Sequence, residues 1–441
     1  MPLVPDYTHD PAVRTWVRQE ANEEGVAARH ESLFGIQMLP FCVFSRDGRA
    51  GALHVGVGIG RFVLDLAAAT HAGLVDDLGG GIPQALRASS LNPLLALTPA
   101  HWTSLRHRLF TLLADDAAGW RSMREAVRQC LVPISAVDLH LPCTVGDYTD
   151  FYASRHHATN VGTMLRPDQP LLPNYRHLPV GYHGRASSVV VSGTPVPRPW
   201  GQVLPHGADA PVFGPSQRLD YELEVGLVIG GENPLGEPVP VGQALDRVFG
   251  VVLLNDWSAR DVQAWEYQPL GPFLGKSFAT SISAWVVPLD ALATRLAPAP
   301  TRESNDPPLL PYLLDADDQA HGSLDLDLEV WLSTEEMRRR ALPSVRVSRS
   351  NLRDLSWTPA QLVAHHTSNG CNLRPGDLLG TGTVSGASPE SRGCLLERTW
   401  RGTEPLALPT GEARRFLEDG DEVTLTSPWL GECRGRVVPR P

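Results

Sequence analysis

Residues 249–256 read FGVVLLND, and a run that is apolar at almost every position, only as long as a strand, and closed by a carboxylate leaves few options. It predicts a buried β-strand that delivers Asp256 to its end. Segments of the same kind recur along the C-terminal part of the chain: SSVVVSGTPV, LDYELEVGLVIG, ISAWVVPL, DLDLEVWL and DEVTLTSPWLG. Glycine (40) and proline (39) are abundant, which favours short strands and turns over long helices. The expected class is mainly β with some α.

A chain of 441 residues exceeds the usual size of one hydrophobic core, so two domains are expected. Near the N-terminus, THDPAVRTWVRQEANEEG predicts a short helix with Asp10 as N-cap, Pro11 at its first position and Val13, Trp16 and Val17 on one face. MLPFCVFS and GALHVGVGIGRFVLDL follow as strands. Gly56, Gly58 and Gly60 alternate with Val57 and Ile59, which suits a hairpin and misses the spacing of a dinucleotide loop. From Thr98 the period changes to helical, with Trp102, Leu105, Leu109 and Leu112 on one stripe, and GWRSMREAVRQC predicts a second helix. LVPISAVDLHLP marks the passage to the larger unit, dividing the chain into residues 1–138 and 139–441. Residues 296–311 form a proline-rich surface loop.

A net charge of −11 without a basic run excludes general attraction to nucleic acid or anionic lipid. No stretch of apolar residues is long enough to span a membrane, and MPLVPDYTHD lacks the layout of a signal peptide, so a cytoplasmic protein is expected. The six cysteines are scattered, which suggests neither a zinc knuckle nor a disulfide framework. GPFLGKS, residues 271–277, imitates a phosphate loop but has three residues where four are needed, one of them Pro272 without an N–H. Lys276, set among apolar and turn-forming neighbours, is instead expected to be half-buried with an anionic partner.

LDYELEVGLVIG alternates, so Asp220, Glu222 and Glu224 point to one face of a strand while Tyr221, Leu223 and Val225 point to the other. Taken alone this is an exposed acidic face. Asp256 at its strand end and Asp150, in a turn flanked by aromatics in GDYTDFYASRHH, change the balance, although Asp256 would equally suit the cap of a helix starting near Ser258. Carboxylates that converge need compensation, since two unit charges about 4 Å apart repel by roughly 4 kcal/mol at an effective dielectric near 20. An all-oxygen set suits Mg²⁺ or Ca²⁺, and zinc would want histidine and cysteine. Beyond Asp256, SARDVQAWEYQ puts Arg260, Gln263 and Tyr267 on one helix face.

Together these blocks resemble the fumarylacetoacetase family. The match is carried by LPCTVGDYTDFYASRHHATNVG, LPNYRHLPVGYHGRASSVVVSGTPV, LDYELEVG, FGVVLLNDWSARDVQAWEYQPLGPFLGKSFATSISAWVVP and GCNLRPGDLLGTGTVSGASPESRGCLLERTW, in family order across nearly all of residues 141–441. The resemblance implies a small SH3-like β-barrel domain followed by a larger mixed β-roll domain, assembled as a homodimer. It implies a Ca²⁺ or Mg²⁺ ion held by Asp150, Glu222, Glu224 and Asp256, with Lys276 and Thr280 completing its surroundings. His157 is implied as general base and Glu397 as the carboxylate that orients it, with Lys276, Arg260 and Gln263 as donors to charged oxygens. Tyr152, Arg166, Tyr182, Gln263, Tyr267 and Thr383 match family substrate contacts. The substrate implied is a dicarboxylate β-diketone, 4-fumarylacetoacetate, cleaved at a carbon–carbon bond. An acylpyruvate hydrolase, a dienedioate isomerase or decarboxylase of the same superfamily, and a non-catalytic dicarboxylate-binding β-scaffold are the alternatives.

Overall fold

A computed structural model describes residues 3–17, 34–46, 48, 51–115 and 118–440. The first unit is built on β1 (Phe41–Ser45), β2 (His54–Ile59), β3 (Phe62–Asp65), β4 (Leu131–Pro133) and β5 (Asp138–His140), antiparallel in the order β4–β3–β2–β1–β5 and curled as a half-barrel. Val55, Val57 and Ile59 are fully buried on β2, while a Cβ on the intervening Gly56 would lie 2.3 Å from the Val63 side chain and 2.9 Å from Phe44. Gly56 therefore leaves the room that side chains of the flanking strands β1 and β3 occupy. Helix α1 (Pro99–Leu113) starts at Thr98, whose capping box includes His101, and buries Leu105, Leu109 and Leu112 as its period predicts. The second helix forms at Arg124–Gln129, after a 3₁₀ segment over Ala118–Met123.

The expected N-terminal helix is not found in its described part. Asp6 rather than Asp10 caps a single 3₁₀ turn, Tyr7–His9, and after a turn at Pro11–Ala12 the chain is held at Thr15 by a β-bridge to Ala114. Thr15 Oγ1 donates to Leu113 O and Trp16 Nε1 to Leu112 O, so docking on the end of α1 overrides local helix propensity. Residues 18–25, the rest of that expectation, lie outside the described residues.

The larger unit contains β6 (Tyr148–Phe151), α2 (Arg155–Leu165), β7 (Gly181–His183), β8 (Val189–Val191), β9 (Leu223–Ile229), β10 (Val248–Asp256), α3 (Arg260–Glu266), β11 (Thr280–Ile282), β12 (Leu378–Gly380) and α4 (Leu395–Arg398). Its main sheet runs β7–β6–β12–β9–β10–β11–β8, with β6–β12 and β11–β8 parallel and the other neighbours antiparallel. A second sheet orders Val345–Asn351, Asp327–Ser333, Glu422–Ser427, Gly431–Val438 and Val196–Pro197.

β10 is buried at every residue because both its faces meet other layers. Val251 and Leu253 join Leu328, Val330 and Leu425 of the second sheet in one cluster, whereas Val252 and Leu254 join Val55, Val57 and Leu105 of the first unit in another. That two-sided burial is why FGVVLLND is apolar throughout instead of alternating. Each leucine so buried contributes roughly 1.5–3 kcal/mol relative to exposure. No helix among the described residues is long and apolar enough to cross a membrane.

Candidate metal and acid–base site

The carboxylates sit at one end of the main sheet. Asp150 lies on β6, not in the expected turn, because residues 148–151 pair with β12 on one side and β7 on the other. Gly380 is its partner on β12; Glu224 is the second residue of β9 and Glu222 just precedes that strand. Asp256 ends β10 opposite Thr280. It does not cap α3: Ser258–Ala259 first pairs with Leu219–Asp220, and Ala259 precedes the helix. Oxygens of Asp150, Glu222, Glu224 and Asp256 lie within 4.8 Å of one another, and all four residues are buried. The exposed acidic face that alternation alone allowed is thereby excluded.

Gly380 makes this gathering possible. A Cβ there would stand 2.5 Å from Asp150 Oδ1 and 3.1 Å from Glu224 Oε2. Gly382 adds a backbone N–H to both carboxylates, at 3.2 Å and 3.0 Å. Neither glycine is legible as a site residue in LLGTGTVSG.

Lys276 is 7% exposed and its Nζ lies 2.6 Å from both Glu222 Oε2 and Asp256 Oδ2. Arg260 NH1 meets Glu222 Oε1 at 2.7 Å. Thr280 Oγ1 donates to Asp256 Oδ1 at 3.2 Å and Tyr182 Oη to Asp256 Oδ2 at 2.9 Å. Lys276 and Arg260, the latter shared with Asp220, offset only part of the charge of the four carboxylates, and a divalent cation would neutralise the remainder. Without it, burial and the charge of Asp256 push Asp150 up to about 8, and burial with Asp150 raises Glu224 well above the usual carboxylate range. Burial pushes Glu222 the same way, but Lys276 and Arg260 outweigh it and hold the group ionised. Glu224 Oε1 is buried and has no hydrogen-bond partner among the described residues, an orphaned acceptor of the kind a cation satisfies. The residues thus fit a hard divalent ion, with Lys276, itself a cation, acting as a counter-charge and not a ligand.

His157 is the third residue of α2. Ser154 caps that helix by accepting the His157 N–H at 3.2 Å, which fixes the ring's starting point. His157 Nδ1 lies 2.6 Å from Glu397 Oε2 on α4, and Nε2 lies 4.0 Å from Glu222 Oε1, facing the carboxylates. Burial would raise Glu397, but His157 and hydrogen bonds from Asn160 and Ser385 outweigh it and bring it down to about 2. An ionised Glu397 requires the proton on Nδ1, leaving Nε2 free to accept another. The Cys394 thiol, kept protonated by burial, donates to Glu397 Oε2 at 3.2 Å.

Asp220 has a different place from its two acidic neighbours. It accepts Arg260 Nε at 2.9 Å and the backbone N–H groups of Leu395 and Leu396 at 2.8 Å and 3.0 Å. One buried carboxylate therefore ties Arg260, and through it Glu222, to the helix that carries Glu397. Asn160 and Ser385 are absent from the residues expected above, and Asp220, which alternation places on one face with Glu222 and Glu224, turns instead to Arg260 and α4.

Among the expected substrate contacts, Tyr152 packs its ring edge-on to His157 at 5.1 Å. Thr383 is buried with Oγ1 unpartnered, and Arg260 keeps NH2 unpartnered, so both hold spare donors beside the site among the described residues. Gln263 Oε1 accepts from Arg260 NH1 at 3.3 Å. Arg166 and Tyr267 are half-buried at the C-terminal ends of α2 and α3, and Arg166 Nε is also unpartnered.

Residues 147–438 match the family model described as fumarylacetoacetate hydrolase C-terminal, and residues 37–142 the one described as fumarylacetoacetase N-terminal. Similar proteins include the fumarylacetoacetases of Bos taurus, 46% identical over 94% of this chain and 98% of that one, and of Oryza sativa subsp. japonica, 47% identical over 92% and 95%. Among solved structures, the fumarylacetoacetate hydrolase of Exiguobacterium antarcticum superposes with a TM-score of 0.51 at 17% identity, covering 91% of this chain and all of that one. At that identity the likeness concerns the fold.

Proposed function

From the premise that the chain belongs to the fumarylacetoacetase family, we propose that it hydrolyses 4-fumarylacetoacetate to fumarate and acetoacetate, with the buried His157–Glu397 pair facing four carboxylates as its working centre. That juxtaposition is the observation that carries the reading. Hydrolysis of a carbon–carbon bond needs water activated next to a carbonyl and a stabilised carbon leaving group. Asp150, Glu222, Glu224 and Asp256 would hold Mg²⁺ or Ca²⁺, the all-oxygen set favouring these over Zn²⁺. When bound, such an ion supplies electrophilic polarisation of substrate oxygens.

The protein's own part follows from its free atoms. His157 Nε2 removes a proton from water, and Glu397 holds the ring by Nδ1 and stabilises the imidazolium that forms. The hydroxide equivalent adds to the carbonyl, the carbon–carbon bond breaks, and its electron pair leaves with the acetoacetate fragment as an enolate, which is then protonated at carbon. Thr383 Oγ1 and the unpartnered NH2 of Arg260 are donors for the developing charge, with Lys276 fixing Glu222 and Asp256 and Gln263 steering Arg260. Tyr152, Arg166, Tyr182 and Tyr267 would hold the remainder of the dicarboxylate, Arg166 through its charge.

The division near residue 138 between the N-terminal unit and this catalytic unit falls at β5 (Asp138–His140), which still pairs with β1 of the first sheet. A homodimer is supported by an exposed apolar area in which the hairpin Trp200–Val203/Val212–Pro215 packs on α3: Phe213 is 68% exposed, and Leu270 and Phe273 beyond α3 are 96% and 63% exposed. Six unpaired cysteines fit a reducing, cytoplasmic setting.

The test is loss of the diketone's absorbance with matching release of fumarate and acetoacetate by the purified protein. Cleavage of acylpyruvates in preference to fumarylacetoacetate would reassign the substrate, and tight binding without products would leave a binding scaffold.

A further inference from the structure

Behind the aromatic wall of the site lies a cavity of about 30 Å³ bounded by Arg155, Tyr175, Arg176, Arg302, Asp306 and Trp357. It sits where the proline-rich loop meets α2: Arg155 NH2 reaches Asp306 Oδ1 at 2.5 Å and NH1 reaches Glu303 at 2.9 Å. Arg302 NH2 is used up on the carbonyls of Arg176 and Pro307.

Four buried polar atoms of these residues have no partner among the described residues: Arg155 Nε, Arg302 Nε, Tyr175 Oη and Trp357 Nε1. Tyr175 and Trp357 are 4% and 2% exposed, so solvent does not satisfy them from outside. All four bear a proton to donate, and leaving even one such group unmade costs about 1–3 kcal/mol. The one unpartnered atom among them that can also accept is the Tyr175 hydroxyl; the other three only donate. A water accepts two hydrogen bonds and must place two protons of its own, and only the Tyr175 hydroxyl is unpartnered to receive one, whereas an anion accepts from all four donors. Charge points the same way, since Arg155, Arg176 and Arg302 against Glu303 and Asp306 give +3 − 2 = +1. The volume suits one small occupant.

We propose that this cavity binds a single monovalent anion, chloride being the simplest that fits, which accepts from the four donors and pins the loop to the helix bearing His157. The Tyr175 ring packs edge-on to Tyr152 at 6.0 Å, and Tyr152 to His157, so the anion buttresses the wall of the proposed substrate site from behind.

The full chain is melted in sodium chloride, sodium bromide and sodium gluconate of equal ionic strength, with the divalent ion held constant, and is crystallised from bromide. A higher Tm in either halide than in gluconate is expected, with bromide anomalous signal in contact with Tyr175 and Trp357. Tyr175→Phe and Trp357→Phe each remove one donor while keeping a ring, and each should weaken the halide response about tenfold or more. Two substitutions are used so that poor folding of one leaves the other informative. Equal melting in halide and gluconate, a halide response unchanged in both variants, or bromide signal without any solution effect overturns the proposal.

Discussion

Removing the divalent ion should make the protein take up protons, and the size of that effect can be worked from the site. In the ion-free protein Asp150 is pushed up to about 8 by burial and by Asp256, while an unfolded aspartate titrates near 3.9. Only the ionised carboxylate binds the ion. At pH 7 the observed affinity should therefore lie about tenfold below its alkaline limit, and about a hundredfold below it at pH 6. Glu224, raised by burial and by Asp150, can only steepen this slope. The sign for stability follows from the same shift: a raised carboxylate stabilises the ion-free fold fully below pH about 4, and that contribution is lost as pH climbs through about 8. The Tm gap between chelated and ion-loaded protein must then widen from pH 5 to pH 8. Calorimetric titration with Mg²⁺ or Ca²⁺ in two buffers of different ionisation enthalpy reads the protons released, and melting with and without chelator reads the gap. An affinity that is flat between pH 6 and pH 8 with no proton release would mean the carboxylates are not gathered as described.

His157→Ala should keep divalent-ion binding and the fold, with some loss of Tm from the stranded Glu397, while reducing turnover beyond detection, and near-normal turnover would remove the imidazole from the mechanism. Glu397→Gln keeps the shape of the partner but not its charge, and kcat should fall by about 10²–10⁴ without a matching rise in KM. Gly380→Ala puts a methyl group into the space between Asp150 and Glu224, so ion affinity should fall by at least about tenfold, measured by titration of the folded variant. Asp220→Ala strands Arg260 in a buried site and uncaps α4; a loss of about 3–5 kcal/mol in urea unfolding is expected, against almost none for the exposed Asp209→Ala.

What could be foreseen in the sequence is what strand periodicity and local composition encode. Alternation in LDYELEVG aligns Glu222 with Glu224, the apolar run carries Asp256 to a strand end, and the company kept by Lys276 announces an ammonium with an anionic partner, though one half-buried and not, as found, 7% exposed. Asp150 was misjudged because DYTDFY has no clean period and its strand is defined by neighbours, above all β12, more than two hundred residues later. Gly380, Ser385 and Asn160 escaped for the same reason: each acts on a group brought to it by the fold, and nothing beside it in the chain announces that group; Asp220 shares the alternating face of Glu222 and Glu224, but its partners Arg260 and α4 are likewise supplied by the fold. The roles of His157 and Glu397 came from the family resemblance, since 240 residues separate them and neither local pattern requires the other.

The layer order explains why the site lies where it does. β10 is sealed between the first unit and the second sheet, so along its length a charged side chain would face a core on either side. Only past the last apolar pair can it carry a carboxylate, and Asp256 stands there. The neighbouring strands obey the same limit, placing Glu224, Asp150 and Thr280 at the one end of the sheet that both cores leave open. Closing that end falls to segments tethered from outside the sheet: α2 with His157, α4 with Glu397, and the turn with Lys276. Asp220 is the joint between them, accepting Arg260 Nε and the Leu396 amide at Oδ2 and the Leu395 amide at Oδ1. The acid–base pair is thus set against the carboxylates by a buried ion pair, and its geometry should relax before the sheet itself does. In Asp220→Asn, kcat should accordingly fall while ion affinity stays near normal; equal losses in both would show that the two halves of the site are one rigid block.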